Sequence, residues 1–245
     1  MKNYQAPNQH LKDRVILVTG AGQGIGKTAA LTFAQQGATV ILLGRSTKKL
    51  EATYDEIVAE KNPEPLIFPM DLEKANEDDF KAMAEGIYQS LGRLDGILHN
   101  ATHFDNLSPL EIQTMEQFDR MFRVNVTAPF ALTKACLPLL TRAADASVVF
   151  TSNNSAQDHK AYWGSHGISK VAADAMMKTW ALELEKHPNL RLNTIVPGGL
   201  QSPQRKKTHP GEVHNNLATT ESVMPTYLYL MGSDAKGISG KVFNC

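Results

Sequence analysis

Six short apolar runs constrain this chain more than any other feature: residues 15–18, 39–43, 66–70, 94–98, 146–151 and 192–196. They are rich in Val, Ile and Leu and do not alternate with polar residues. That is the pattern of strands buried on both faces of a parallel sheet. Segments with helical spacing lie between them. One covers 24–36. Another covers 49–60 and puts Leu50, Tyr54, Ile57 and Val58 on one face. In a third, Phe80, Met83 and Ile87 share a face, and Asn76 with Asp79 reads as its N-cap pair. Strand and helix alternate to the end, where 241–245 supplies a last strand. The expected fold is α/β: a single-domain Rossmann-type doubly wound parallel sheet of about seven strands, with helices on both faces.

A chain of 245 residues suits one such domain, 1–245. No repeat, low-complexity tract or linker divides it. The conspicuous polar stretch, 201–220, carries Pro203, Pro210, Gly211 and the basic run Arg205-Lys206-Lys207. It reads as a mobile loop over a site or, equally, as a plain surface loop. Lys plus Arg number 25 and Asp plus Glu number 25, so bulk charge points to no nucleic acid and no membrane. No apolar run is expected to reach the length of a membrane span, and the N-terminus lacks an apolar signal region. Of the two cysteines, Cys136 reads as a small core hydrophobe. These features imply a cytoplasmic protein without a metal site.

The first strand ends in Thr19-Gly20-Ala21-Gly22-Gln23-Gly24-Ile25-Gly26, and a helix follows. Glycines here permit a tight turn and let backbone approach a pyrophosphate at the helix N-terminus. The same residues also fit a relaxed phosphate loop, ending in Gly26-Lys27-Thr28, which would make the chain a nucleotide triphosphatase. Its first loop position is Ala21 where that pattern has Gly, so the dinucleotide reading is preferred. Strand two ends in Leu43-Gly44-Arg45-Ser46. An acid near this place suits the ribose 2′-hydroxyl of NAD, whereas Arg45 suits a 2′-phosphate and favours NADP(H) over NAD(H), with Lys48 or Lys49 assisting.

Thr19-Gly20-x-x-x-Gly24-x-Gly26 resembles the cofactor loop of the short-chain dehydrogenase/reductase superfamily. The resemblance runs along nearly the whole chain. Asp71 and Leu72 fall where that family contacts adenine. His99-Asn100-Ala101-Thr102 resembles its Asn-Asn-Ala-Gly segment, with departures at the first and last places. Asn125 matches the helix Asn that holds a catalytic water, Lys170 the motif lysine, and Pro197-Gly198 the turn after strand six. The run 193–199, the pair Trp163-Gly164 and residues 224–231 are most similar to its YciK-like bacterial branch. The resemblance implies that Gly20, Gln23, Gly24, Ile25, Gly26, Arg45, Asp71, Leu72, Asn100, Ala101, Lys170, Pro197 and Gly198 hold the cofactor.

The catalytic centre departs from the family pattern. The Tyr place, four residues before Lys170, holds His166, and the Ser place thirteen before that holds Asn153. His166 and Lys170 lie four apart on one helix surface. Histidine works as an acid or base near neutral pH, though its ring reaches less far than a phenol. Asn153 can donate an amide N–H to a carbonyl. The expected activity is therefore NADP(H)-dependent interconversion of a carbonyl and a secondary alcohol, with His166 as proton donor, Asn153 as polariser, Lys170 and Asn125. The alternative is a non-catalytic NADP(H)-binding protein. The resemblance also implies a homodimer or homotetramer through helices near 115–142 and 162–186; Phe118, Met121, Phe122, Met176, Met177 and Trp180 read either as that surface or equally as core.

Overall fold

A computed structural model describes residues 3–245. The strands are β1 (Val15–Thr19), β2 (Thr39–Gly44), β3 (Leu66–Pro69), β4 (Gly96–His99), β5 (Ala146–Thr151), β6 (Leu190–Val196) and β7 (Val242–Asn244). They form one sheet in the order β3-β2-β1-β4-β5-β6-β7, and every pairing is parallel. The expected doubly wound sheet is present. Its order reverses between β1 and β4, and at such a switch point the following loops diverge and leave a crevice.

The helices are α1 (Gly24–Gln35), α2 (Thr47–Ala59), α3 (Glu77–Leu91), α4 (Met115–Phe122), α5 (Ala128–Arg142), α6 (Ser155–Asp158), α7 (Gly164–Glu183), α8 (Pro203–Thr208) and α9 (Met224–Met231). One core lies on the sheet face covered by α3, α5 and α7 and includes Phe80, Met83, Leu132, Cys136 and Met177. The other lies under α1, α2 and α9 and includes Phe33, Leu50, Ile57 and Leu230. The N-cap pair forms a reciprocal box. Asn76 Oδ1 accepts from the Asp79 amide at 3.1 Å, and Asp79 Oδ2 accepts from the Asn76 amide at 2.8 Å.

Four details differ from the sequence reading. On α2 the buried face uses Thr53, 0 % exposed, while Val58 is 42 % exposed. The Thr53 hydroxyl donates to the Ala21 carbonyl at 3.1 Å, so a hydrogen bond to the glycine loop decides the face. Residues 201–220 are not a plain loop. They contain α8 and a short 3₁₀ turn at His214–Asn216, and Arg205 grips Glu212 at 2.6 and 2.8 Å. The helical stretch Met115–Arg142 is long and apolar enough to cross a membrane, contrary to expectation; half of it is buried, and α5 within it packs on α3. Met121 and Met177 are core residues, unavailable to any surface.

Behind the sheet, Asp145 receives two guanidinium groups, Arg14 from the approach to β1 and Arg191 from β6. Burial works to raise the Asp145 carboxyl, but the hydrogen bonds and charges of Arg191 and Arg14 outweigh it and hold the carboxyl below its ordinary value. A depressed carboxylate contributes stability that is present above its unfolded pKa, about 3.9, and is lost as pH falls through the lower folded value. Asp145→Asn leaves Arg191 buried without its counter-charge and should cost about 3 kcal/mol in urea unfolding at pH 7. That difference should shrink progressively below about pH 4.

Candidate active site

The crevice is held open by one hydroxyl. Thr19 Oγ1, at the end of β1, accepts from the amides of Asn100 and Ala101 at 2.9 and 3.0 Å and donates to the Leu98 carbonyl at 3.2 Å. It ties the loop after β4 against the glycine loop. Gly20 has φ +70°, and a Cβ there would meet Ala101 Cα at 3.1 Å. A Cβ on Gly26 would lie 2.3 Å from the Gly20 carbonyl oxygen. Gly26 therefore sets the approach of α1 to the loop and does not face the ligand space. No side chain caps the start of α1, so its first N–H groups are free for an anion.

The resulting cleft is lined by Gly20, Gln23, Gly24, Ile25, Arg45, Asp71, Leu72, Asn100 and Ala101, as the sequence implied. Gly26, Lys170, Pro197 and Gly198 do not line it. Lys49, named beside Arg45, and the Ser202-Pro203-Gln204 turn, inside the stretch read as a loop over a site, line it too; Gly22, Ser46, Thr102 and His103 also line it and were missed. Most of these flank the motif residues by one or two positions, which was the available signal. At the α8 turn the polar stretch was the signal, and tertiary folding brings Pro203 Cδ within 3.5 Å of a Gly24 Cβ. Lys48 is not at the cleft. Lys27 is turned away to Glu56 at 2.6 Å, so the phosphate-loop arrangement, with its lysine on a phosphate, is not formed. The glycine cradle, free helix start and Arg45 at the far end together fit a dinucleotide.

The catalytic places converge from three elements. Between α4 and α5 the chain widens into a π turn, Arg123–Thr127, a common local device at functional sites. It aims Asn125 inward. Asn125 Oδ1 accepts from the His103 amide at 2.7 Å and Thr102 Oγ1 at 3.0 Å, while Nδ2 donates to Ser169 Oγ at 3.0 Å. That side chain is fully engaged in bracing the loop after β4. From α7, Lys170 Nζ donates to the Thr151 carbonyl at 3.0 Å. Burial lowers its ammonium to about 8, against the opposing pull of Asp174. Ser152 turns to Asp174, away from the Asn153 side, as strand alternation requires.

His166 is 1 % exposed. Its Nδ1 lies 3.1 Å from the His103 carbonyl and its Nε2 lies 2.9 Å from Asn153 Nδ2. Two backbone groups determine where the protons are. A carbonyl only accepts, so Nδ1 carries the hydrogen. The Ser155 amide only donates, and it donates to Asn153 Oδ1 at 3.1 Å, so the Asn153 NH₂ faces the ring. Nε2 is then a pure acceptor. Burial first, and the Lys170 charge second, push the imidazolium pKa down to about 3. The ring that occupies the proton-donor place has its hydrogen directed at backbone.

A family model described as short chain dehydrogenase matches residues 14–213. The chain belongs to the short-chain dehydrogenase family. It is 40 % identical over 242 residues to the uncharacterized oxidoreductase YciK of Escherichia coli K12, covering 99 % of this chain and 95 % of that one. Two solved short chain dehydrogenases superpose closely. One, from Escherichia coli CFT073 and complexed with NADPH, has TM-score 0.93 and 40 % identity over 97 % of this chain and 99 % of that one. The other, from Shigella flexneri 2a and complexed with NADP, has TM-score 0.94 and 39 % identity, again over 97 % and 99 %. By class the chain is an oxidoreductase of this family. Within the short-chain dehydrogenase frame, His99 is a buried core residue bonded to Thr133 at 2.8 Å, with its ring tilted against Phe150 at 4.6 Å.

The proton assignment has a direct check. A long-range ¹⁵N–¹H spectrum of the imidazoles should show His166 as the neutral Nδ1–H form with no titration from about pH 5 to 8, where an ordinary histidine changes charge.

Proposed function

We propose that the chain is an NADP(H)-dependent oxidoreductase that interconverts a carbonyl and a secondary alcohol. The observation that carries this reading is Arg45, exposed at the end of β2 and lining the cleft with Ser46 and Lys49. This basic rim suits a ribose 2′-phosphate, and the relatives complexed with NADP and NADPH support the same choice. Gly20, Gln23, Gly24 and Ile25 would hold the pyrophosphate, with Asp71 and Leu72 at the adenine and Asn100 and Ala101 along the remaining length. A bound nicotinamide would supply or take the hydride; orientation and electrostatics fall to the protein.

Asn153 is the group assigned to the substrate oxygen. One of its amide N–H bonds goes to His166 Nε2, and no protein group takes the second among the described hydrogen bonds. His166 then acts as a positioning residue for Asn153, in place of the donor role that its sequence position implied. Lys170 supplies nearby positive charge, and Asn125 braces the loop that holds His166 Nδ1. A second reading, a non-catalytic NADP(H)-binding protein, is favoured by one observation: neither ring nitrogen of His166 is free to donate to a substrate. Two free cysteines, Cys136 and Cys245, support a cytoplasmic setting. Exposed Phe130, Ile168 and Val171 on α5 and α7, beside Trp180, support a homodimer or homotetramer.

Arg45→Ala tests the cofactor assignment. Hydrogen bonds to a charged group are worth about 1.5–3 kcal/mol, so NADPH should bind about 10- to 100-fold more weakly by fluorescence titration. NADH affinity should change little. Equal loss for both nucleotides would remove Arg45 from the 2′-phosphate.

A further inference from the structure

We propose that this centre is built for carbonyls whose reduced oxygen is a weakly basic, resonance-stabilised anion, with quinones as the substrate class. The proposal rests on the NADP(H) reading above and narrows it. Hydride addition to an ordinary ketone makes an alkoxide about as basic as hydroxide, whose conjugate acid has a pKa of about 15.7. Such a product needs an acid in place as charge develops. A phenolate is the anion of an acid with a pKa of about 10. It can form on a hydrogen-bond donor alone and take its proton from water afterwards.

Beside Asn153 the centre offers donors, and its ammonium, Lys170, is turned to the Thr151 carbonyl at 3.0 Å. His166 Nδ1–H is spent on the His103 carbonyl, and Nε2 accepts. Ser155 Oγ donates to Asn153 Oδ1, Ser152 Oγ to Asp174, and Ser169 Oγ to the His166 carbonyl. Tyr162 is exposed, and Tyr227 is buried against Thr151 Oγ1 with its phenol pKa raised by burial. His103 turns its Nε2 to Asp105 at 2.8 Å. The Asn153 amide N–H remains, held in direction by the Ser155 amide on one side and His166 on the other. It can stabilise a developing oxyanion but gives up no proton.

The walls point the same way. Phe104 stands edge-on to His166 at 5.3 Å, Trp163 lies 5.7 Å from it, and His209 from the segment after α8 lies 6.0 Å from Trp163. Two half-buried rings beside His166, Phe104 and Trp163, suit a flat conjugated substrate, which stacks on aromatic faces. In this step the C4–H bond of the dihydronicotinamide would break and its hydride, with the electron pair, would form an O–H bond at the second quinone oxygen, while the conjugated π pairs shift through the ring and one comes to rest on the oxygen facing Asn153. NADP⁺ and the hydroquinone monoanion result, and water supplies the proton to that oxygen.

The test compares a planar ortho-quinone with a saturated cyclic ketone, in wild type and in the double variant Asn153→Ser/His166→Tyr, with NADPH binding measured alongside. General acid catalysis is worth about 10²- to 10⁴-fold. The quinone-to-ketone ratio of kcat/KM should therefore fall at least about a hundredfold in the variant, which restores an acid. Without relying on turnover, a nitrophenol added to wild type with NADP⁺ should bind as the phenolate, read by its absorbance, and Asn153→Ala should abolish that shift. Wild type that reduces the ketone with a rate falling through about pH 8, the value for Lys170, would overturn the proposal and make Lys170 the acid. Nitrophenol bound as the neutral phenol would also overturn it. Failure of NADPH to bind at all would instead sink the cofactor reading.

Discussion

The Thr19 hydroxyl is the interaction on which the site depends. One oxygen at the end of β1 takes two amides from the loop after β4 and gives its hydrogen to the Leu98 carbonyl. Parallel strands on either side of a switch point send their loops apart, and the divergence alone would leave them unconnected. Thr19 fixes the distance between the glycine loop and Asn100-Ala101. Gly26 sets the other dimension by letting α1 press against Gly20. The cleft is thus shaped by backbone and by one buried hydroxyl, and its lining side chains project from a rigid frame.

From that frame the loop after β4 continues to His103, whose backbone does three things. Its amide meets Asn125 Oδ1, and its carbonyl accepts from both Asn125 Nδ2 and His166 Nδ1. The carbonyl thereby dictates the tautomer of a ring on a different element, α7. The Ser155 amide dictates the orientation of Asn153 in the same way. Neither group can reverse its role. The two replacements, Asn153 and His166, thus form a pair in which one Asn153 amide hydrogen satisfies the buried ring nitrogen of His166. Within the pair the ring hydrogen goes to backbone, and one Asn153 amide hydrogen has no partner among the described hydrogen bonds.

Much of this was legible beforehand. Strands buried on both faces announce themselves as unbroken Val/Ile/Leu runs, and the glycine spacing after β1 marked the nucleotide end of the cleft. Boundaries shifted where tertiary contacts intervene. β4 starts at Gly96, two residues past the apolar run's start at Leu94, because the Asp95 side chain turns to accept from the Val15 amide at 2.8 Å. The buried side of α2 shifted to Thr53 for a similar reason: its hydroxyl bonds a loop thirty residues away in sequence. The direction of the His166 ring hydrogen had no sequence signal. Identity and spacing place the ring correctly, but its tautomer comes from a carbonyl 63 residues distant.

The solvent deuterium isotope effect on quinone turnover, measured together with the effect of deuterium at the transferred position of NADPH, tests the central claim most directly. If Asn153 supplies only a hydrogen bond, the labelled cofactor slows the reaction while heavy water leaves kcat/KM nearly unchanged. A large solvent effect, with its proton inventory assigning one proton in flight alongside hydride transfer, would mean that an acid operates in this centre and would contradict the account.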